Sequence, residues 1–137
     1  MSLLISENDT FEIKVAYVQG TNGELKFENG EGSLGPEAKH ETFVFRRPNW
    51  FDTRIIFSSC VIVDGESGKA IVDPYKMMDV RLKMLLKEWT ITKDDGEKVP
   101  ITAQSIDQLE PLLVEHVHNK LNEALTPKTA EPPKKAE

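Results

Sequence analysis

The stretch that decides the fold runs from Asp73 to Leu125 and reads DPYKMMDVRLKMLLKEWTITKDDGEKVPITAQSIDQLEPLLVEHVHNKLNEAL. Its pattern predicts a helix, a polar turn, a helical turn and a long helix. Asp73 is a typical helix N-cap, and Pro74 suits the first helical position because its φ is already close to the helical value. No side chains in the stretch are arranged as in a catalytic site, so its composition favours contact with other proteins.

The first of these helices is predicted to run from Pro74 to Trp89. Its large apolar residues recur at spacings of four, three and four and should line one buried face, made of Met78, Leu82, Leu85 and Trp89. Polar residues occupy the opposite face, at Lys76, Asp79, Lys83 and Lys87. A secondary stripe, which a small core would leave uncovered, consists of Met77, Val80 and Met84. Methionines on such a stripe suit an adaptable binding surface.

The residues after Trp89 predict a turn, a helical turn and a second long helix. Lys93–Gly96 has turn composition, and Ser105 with Gln108 has the spacing of a capping box. Pro111 should open the last helix, which carries a loose apolar stripe of Leu112, Leu113, His116, Leu121 and Leu125.

The first half of the chain is predicted to be rich in short strands. Phe11–Val18 alternates apolar and polar residues, and Glu24–Phe27 could return as the second strand of a hairpin. Thr42–Phe45 predicts another strand. Two segments predict no regular structure: a mobile Gly-rich loop over 29–39, and a disordered tail over 126–137 that is rich in Pro and Lys.

The middle of the chain predicts a short helix followed by a small hairpin. Asn49 could cap a helix over Trp50–Cys60, with Phe51, Ile55 and either Ile56 or Cys60 facing inward, although its β-branched residues also suit a strand. The apolar runs 61–63 and 70–72 flank a polar turn and predict a hairpin. The chain is therefore expected to form one α+β domain over 1–125, with N-terminal β-hairpins or a small antiparallel sheet (β-rich over 8–72) and a helical C-terminal half (73–125).

Composition excludes several classes of protein. The 137 residues suffice for one small domain, and the net charge of −6 argues against nucleic-acid binding, which needs clustered Lys and Arg. The single cysteine, Cys60, cannot form an internal disulfide, and its apolar neighbours predict a buried, inert thiol. No signal peptide or membrane span is predicted, so we expect a soluble, intracellular protein.

Candidate catalytic, cofactor and metal sites are all weak, and we expect no enzyme activity, cofactor or metal. His116 and His118 are two positions apart on a helix and therefore point in different directions, so they are not expected to share one ion. The pair Asp94 and Asp95 lacks the apolar surroundings that would hold a proton at neutral pH. No nucleophile and base can be matched.

The most conspicuous cluster outside the long helices is RRPNWF, residues 46–51. One interpretation is an exposed patch in which Arg46, Arg47, Trp50 and Phe51 bind a partner, since arginine and aromatic residues are enriched at interaction hot spots. The other is that the two aromatic residues are core and the arginines extend past them to solvent. The scarcity of aromatic residues in the chain favours the second interpretation.

Three segments in order suggest a family: FRRPNWFDTRIIF at 45–57, VDGESGKAIVDPYKMMDVRLKMLLKEWTI at 63–91 and DDGEKVPITAQSIDQLEP at 94–111. With the closing helix, they resemble the tail assembly chaperones of long-tailed, siphovirus-like bacteriophages. The resemblance covers residues 43–125 and consists of packing and capping residues. Residues 1–40 do not share it.

The resemblance implies a non-enzymatic role in the host cytoplasm. Such chaperones coat the helical tape-measure protein and recruit tail-tube proteins during assembly, and homo-oligomers are possible. The partner-binding residues would be Arg46, Arg47, Trp50, Phe51, Met77, Val80, Met84 and Trp89. Trp50 and Trp89 could be either anchors for a partner or parts of the core. The alternative function is a structural virion protein, such as a tail-completion, neck or baseplate component.

Overall fold

The computed structural model describes residues 3–28, 35 and 37–126, and has the mixed α+β architecture that the sequence predicts. A small antiparallel sheet forms in the N-terminal part, and helices dominate the C-terminal part. In chain order the elements are β1 (Thr10–Gln19), β2 (Leu25–Phe27), β3 (Lys39–Arg46), α1 (Trp50–Cys60), β4 (Val61–Val63), β5 (Ala70–Val72), α2 (Pro74–Leu85), β6 (Leu86–Trp89), α3 (Ala103–Asp107) and α4 (Pro111–Leu125).

The main sheet has the strand order β2-β1-β3-β6, and every neighbouring pair is antiparallel. Alternation along β1 places Ile13 and Val15 on the buried face, as the sequence pattern predicts. Phe43 lies opposite Ile13 and Phe45 opposite Phe11 on β3, and both β3 residues are buried. This face of the sheet therefore forms one wall of the core.

The prediction that the first long helix continues to Trp89 is wrong. α2 ends at Leu85, and the next four residues form β6 on the open edge of β3. Trp89 pairs with Phe43, and Leu86 pairs with Phe45. A register shift between these two pairs keeps the side chains of Leu86 and Trp89 both buried. The spacing of the apolar residues fits a helix, but pairing with β3 supplies backbone hydrogen bonds that a longer helix would leave unmade on the sheet edge.

The helices cover the buried face of the sheet. α1 packs against α2, α2 also contacts α3, α4 and β6, and α4 lies across β1 and β2. The buried apolar residues in the described part of the chain form one cluster, made of Ile13, Val15, Phe43, Phe45, Ile56, Cys60, Met77, Leu82, Leu85, Leu86, Trp89, Ile106, Val117 and Leu121. Sheet and helices thus share a single core.

The helix starts follow the predicted capping chemistry closely. The Asp73 side chain accepts hydrogen bonds from the backbone of Tyr75 and Lys76, and Pro111 opens α4. The predicted helical turn near Ser105 is α3, but its cap is Thr102, with Ser105 three residues inside. The predicted stripe of α4 needs two corrections, because Leu112 is exposed and the unpredicted Val117 is buried.

The strands and short helix of the first half are confirmed with small changes of length. β3 is longer than the predicted Thr42–Phe45, and it begins inside the predicted loop, at Lys39. α1 and the β4–β5 hairpin match their predicted ranges. Most of that loop (residues 29–34 and 36) and nearly all of the predicted tail (residues 127–137) lie outside the described residues.

Candidate functional site

The start of α1 separates the two arginines of the RRPNWF cluster. Arg46 turns inward, where it makes a salt bridge with the buried Asp52 and donates a hydrogen bond to the Met84 carbonyl. The hydrogen bonds from Arg46 hold the pKa of Asp52 below its ordinary value, and the same pairing raises the pKa of Arg46. Arg46 is therefore a structural residue at this junction and not an exposed contact residue.

The interpretation of Trp50 and Phe51 as core residues is wrong. Trp50 is 76% exposed and Phe51 is 57% exposed. The reason is the capping box, in which Asn49 and Asp52 bond each other's backbone N–H and so turn Asp52 inward. Residues one and two turns later, Ile56 and Cys60, then form the buried face of α1.

The outer face of α1 is aromatic as a result. Trp50 and Phe57 are two turns apart on this face, with Arg54 between them. The Arg54 guanidinium lies over the Phe51 ring, 5.5 Å from its centroid. This cation–π contact keeps the Arg54 side chain on the same face as the exposed aromatic residues.

The hairpin that follows α1 extends the exposed apolar surface. Successive residues of a strand point to opposite faces, yet Val61, Ile62 and Val63 are all exposed, and Val63 is 72% exposed. Ile71 and Val72 on β5 are exposed as well. The core therefore covers neither face of this two-stranded hairpin completely.

We call the combined region the α1–hairpin surface. Tyr75, at the start of α2 and 76% exposed, adjoins the base of the hairpin, which the Asp73 N–H closes by donating to the Cys60 carbonyl at 2.8 Å. The surface comprises Trp50, Phe51, Phe57, Val61, Ile62, Val63, Ile71, Val72 and Tyr75. Sequence reasoning predicted the hairpin but missed its role as a surface. The missing signal was the run of apolar residues without polar alternation on both strands.

The predicted methionine stripe does not form an exposed site. Met77 is buried, and Val80 and Met84 are half-buried against the core. The prediction failed because α2 has α1 on one side and α3 and α4 on another, so more than one of its faces is covered.

Trp89 belongs to the core. Its side chain is 2% exposed and packs edge-on against Phe43. Its indole N–H donates to the Val99 carbonyl at 2.7 Å, which satisfies its polar atom inside the protein. Of the predicted partner-binding residues, Trp50 and Phe51 are therefore exposed on one surface, Arg47 is exposed beside it, and the others are buried or half-buried.

The histidines of α4 and the cysteine of α1 lie inside the fold, with His116 and His118 half-buried and Cys60 buried. No group of three or more His, Cys, Asp or Glu residues in the described part of the chain could hold a metal ion. His116 stacks on Phe27. The pKa values of His116 and His118 are both lowered, mainly by burial. Burial raises the pKa of the Cys60 thiol, in line with the predicted inert cysteine.

No protein-family model, curated protein or solved structure matches the chain. Within the described residues, no helix has the length and apolar character needed to cross a membrane.

Proposed function

We propose that the chain is a tail assembly chaperone of long-tailed bacteriophages, a non-enzymatic protein of the host cytoplasm that binds the helical tape-measure protein and recruits tail-tube subunits. The observation that carries the proposal is the α1–hairpin surface, which presents nine large apolar or aromatic side chains to solvent. So many large apolar side chains exposed on neighbouring elements of a small protein point to an interaction site.

The hairpin supplies a second mode of recognition through its backbone. Among the described residues, β4 and β5 pair with each other and with no further strand, so each has an outer edge with N–H and C=O groups that no strand there pairs. An isolated two-stranded hairpin is marginally stable in water, and its edges and faces gain stability when a partner covers them. The same element therefore favours binding through both backbone and side chains.

The aromatic residues are the expected energetic centre of this contact. Trp50 and Tyr75 are largely exposed, although such side chains usually bury most of their area in a folded protein. Tryptophan and tyrosine are enriched among residues that dominate binding energy. Their rings would pack against the apolar stripe of a long amphipathic helix and shield it from aggregation.

The net charge of −6 is compatible with this role. A chaperone that coats a long protein is present in many copies on one partner, and like charge on each copy opposes aggregation of the complex. The polar turn of the hairpin, residues 64–69, carries two of the acidic residues, Asp64 and Glu66.

The proposal is tested by co-expression with the tape-measure protein of a long-tailed phage, followed by affinity purification. We expect the two proteins to co-purify, and the double variant Ile62→Lys, Ile71→Lys to lose at least about tenfold in binding, because these cross-strand neighbours would place charges in the contact. The matched control is Leu3→Lys, which changes an exposed leucine outside the α1–hairpin surface and should bind normally.

Purified phage particles separate the two candidate functions. A chaperone binds the helical protein during assembly and is absent from mature particles, whereas a tail-completion, neck or baseplate protein is present at fixed copy number. Light scattering on the wild type and the hairpin variant tests for homo-oligomers. Loss of a wild-type oligomer in the variant would mean that the hairpin pairs between copies of this chain.

A further inference from the structure

A groove lies where α1, α2 and the C-terminal end of α4 meet, and it has a volume of about 820 Å³. Its apolar lining includes Ile56, Phe57 and Leu85, and Leu125 closes the α4 side. Two arginines, Arg47 and Arg81, also line it. Two arginines in one groove are unexpected on a chain with a net charge of −6. The question is whether acidic side chains of the chain neutralise their charges.

Arg81 is half-buried and has no carboxylate partner among the described residues. Its Nη1 contacts the Asn122 side-chain oxygen at 3.1 Å and His118 Nε2 at 3.2 Å. A guanidinium has five N–H donors, and these two contacts leave Nη2 and Nε without a partner in the described part of the chain. Since Arg81 lines the groove, those donors are available to a ligand there.

The surroundings of Arg81 do not compensate its charge. Burial lowers the pKa of Arg81, and burial together with the Arg81 charge lowers the pKa of His118, which keeps that imidazole neutral. Partial removal from water weakens the hydration of a charge, so a half-buried guanidinium gains from a counter-ion. An anion in the groove would supply that counter-ion.

Arg47 adds a second cation at the rim. Its side chain is exposed and makes no ion pair with a described residue, while its backbone N–H is held by the Asp9 carbonyl at 2.8 Å. Glu123 also lines the groove but makes no ion pair with either arginine. The groove is thus polarised, with an acidic rim residue on α4 and two arginines on the other walls.

We propose that this groove binds an amphipathic helix of a partner protein that carries a carboxylate within its apolar stripe. The carboxylate would receive the free donors of Arg81 in a bidentate contact, and apolar side chains beside it would cover Ile56, Phe57 and Leu85. The groove is distinct from the hairpin, although Phe57 borders both, so this site would remain if the tail-assembly role were disproved.

The C-terminal segment of the chain itself is the competing occupant. It follows Thr126, which lines the groove, and residues 127–137 carry three lysines and two glutamates. This segment is therefore slightly basic and lacks large apolar side chains, so it complements neither the arginines nor the apolar lining. A partner segment that carries a negative charge and an apolar stripe complements both the arginines and the apolar lining.

The test uses a fluorescent synthetic amphipathic helix with leucines along one stripe and a single glutamate within it, and a second peptide with glutamine in its place. On the wild-type chain we expect the glutamate peptide to bind at least about tenfold more tightly, as measured by fluorescence anisotropy. Arg81→Gln should bring the two affinities close together. Lys98→Gln, which changes an exposed cation after β6 that lies outside both the groove and the α1–hairpin surface, is the control and should preserve the difference.

Each outcome decides the proposal. Equal affinity of the two peptides for the wild-type chain would overturn it, and this comparison needs no variant that might misfold. Removal of residues 127–137 should leave the affinity unchanged. A gain of tenfold or more after that removal would assign the groove to the C-terminal segment and overturn the partner-helix proposal. The co-purification experiment tests the hairpin and does not depend on either result.

Discussion

Arg46, the last residue of β3, donates two hydrogen bonds to the Asp52 carboxylate in the first turn of α1, and the bond from Nη2 to Oδ1 measures 3.1 Å. The same carboxylate accepts the Asn49 N–H at 3.0 Å, and Arg46 also donates to the Met84 carbonyl near the end of α2. One ion pair thus joins the sheet to two helices and fixes which face of α1 points outward.

Asp52→Ala should destabilise the protein strongly. The substitution leaves the Arg46 guanidinium without its counter-ion and removes half of the capping box, and we expect a loss of about 3 kcal/mol in the free energy of unfolding. Urea unfolding followed by circular dichroism measures it. The control is Asp107→Ala, which removes an exposed salt bridge to Lys83 and should cost under about 1 kcal/mol. Equal losses in the two variants would contradict the structural role of the pair.

The stabilising effect of Asp52 should depend on pH. Because the folded state lowers the pKa of this carboxyl, its contribution is complete above the unfolded-state pKa of about 3.9 and is lost as the pH falls through the lower folded-state value. The difference in unfolding free energy between wild type and Asp52→Asn should therefore be constant from pH 7 to 5 and shrink below about pH 4. A difference that stays constant down to pH 2.5 would contradict the lowered pKa.

His116 should make the fold sensitive to mild acid. Its ring stacks on Phe27 with centroids 4.2 Å apart, and its Nε2 is buried without a hydrogen-bond partner in the described residues. Burial lowers its folded-state pKa, and nearby Lys120 adds to this while Glu123 opposes it. The unfolded state then binds a proton first, so stability should decline as the pH falls below about 6.5.

His116→Phe should remove much of that acid sensitivity. The variant keeps a ring for Phe27 and removes an unpaired buried nitrogen, so we expect it to gain about 1 kcal/mol at pH 7 and more at pH 5.5. His118, whose pKa is also lowered, should retain part of the pH slope. His116→Leu is the control, since it removes the titration without keeping the ring. If the unfolding free energy of both variants falls between pH 7 and 5 as steeply as that of the wild type, His116 is not the cause of the acid sensitivity.

The two tryptophans should respond in opposite ways to substitution. Trp89→Ala removes a buried ring and its hydrogen bond to Val99, and should cost about 3–5 kcal/mol in unfolding free energy. Trp50→Ala changes an exposed side chain and should stay within about 0.5 kcal/mol of the wild type while weakening partner binding at least about tenfold. Urea unfolding measures the change in stability of each variant, and the pull-down measures the change in partner binding. Similar losses of stability would contradict their different burial.

Cys60 should be unreactive until the protein unfolds. The thiol is fully buried at the end of α1, and burial raises its pKa, so little thiolate is available at pH 8. We expect labelling by a colorimetric disulfide reagent to be slow in buffer and rapid in concentrated urea. Val63→Cys adds an exposed thiol on the hairpin and should react at once under native conditions. Rapid native labelling of Cys60 would contradict its burial.

Local chemistry allowed much of the fold to be predicted from the sequence. The cap at Asp73, the prolines that open α2 and α4, and the Asn49 cap of α1 depend on residues within one helical turn, so their effect can be read directly. The alternation along β1 also indicated its buried face correctly. The apolar sequence neighbours of Cys60 also predicted correctly that its thiol is buried.

Tertiary structure decided the features that local patterns leave ambiguous. Leu86–Trp89 satisfies the spacing of a helix, and as a strand it needs a register shift against β3 to bury both Leu86 and Trp89. The open edge of β3 nevertheless selected the strand, because it offered hydrogen bonds that the helix could not. Likewise, Trp50 and Met77 are both apolar residues on helices, yet one is exposed and the other buried, depending on which elements pack beside them. The sequence by itself determined where helices and turns begin. Only the packing of the whole chain determined which apolar side chains remain free to bind a partner, because exposure depends on neighbours that are distant in sequence.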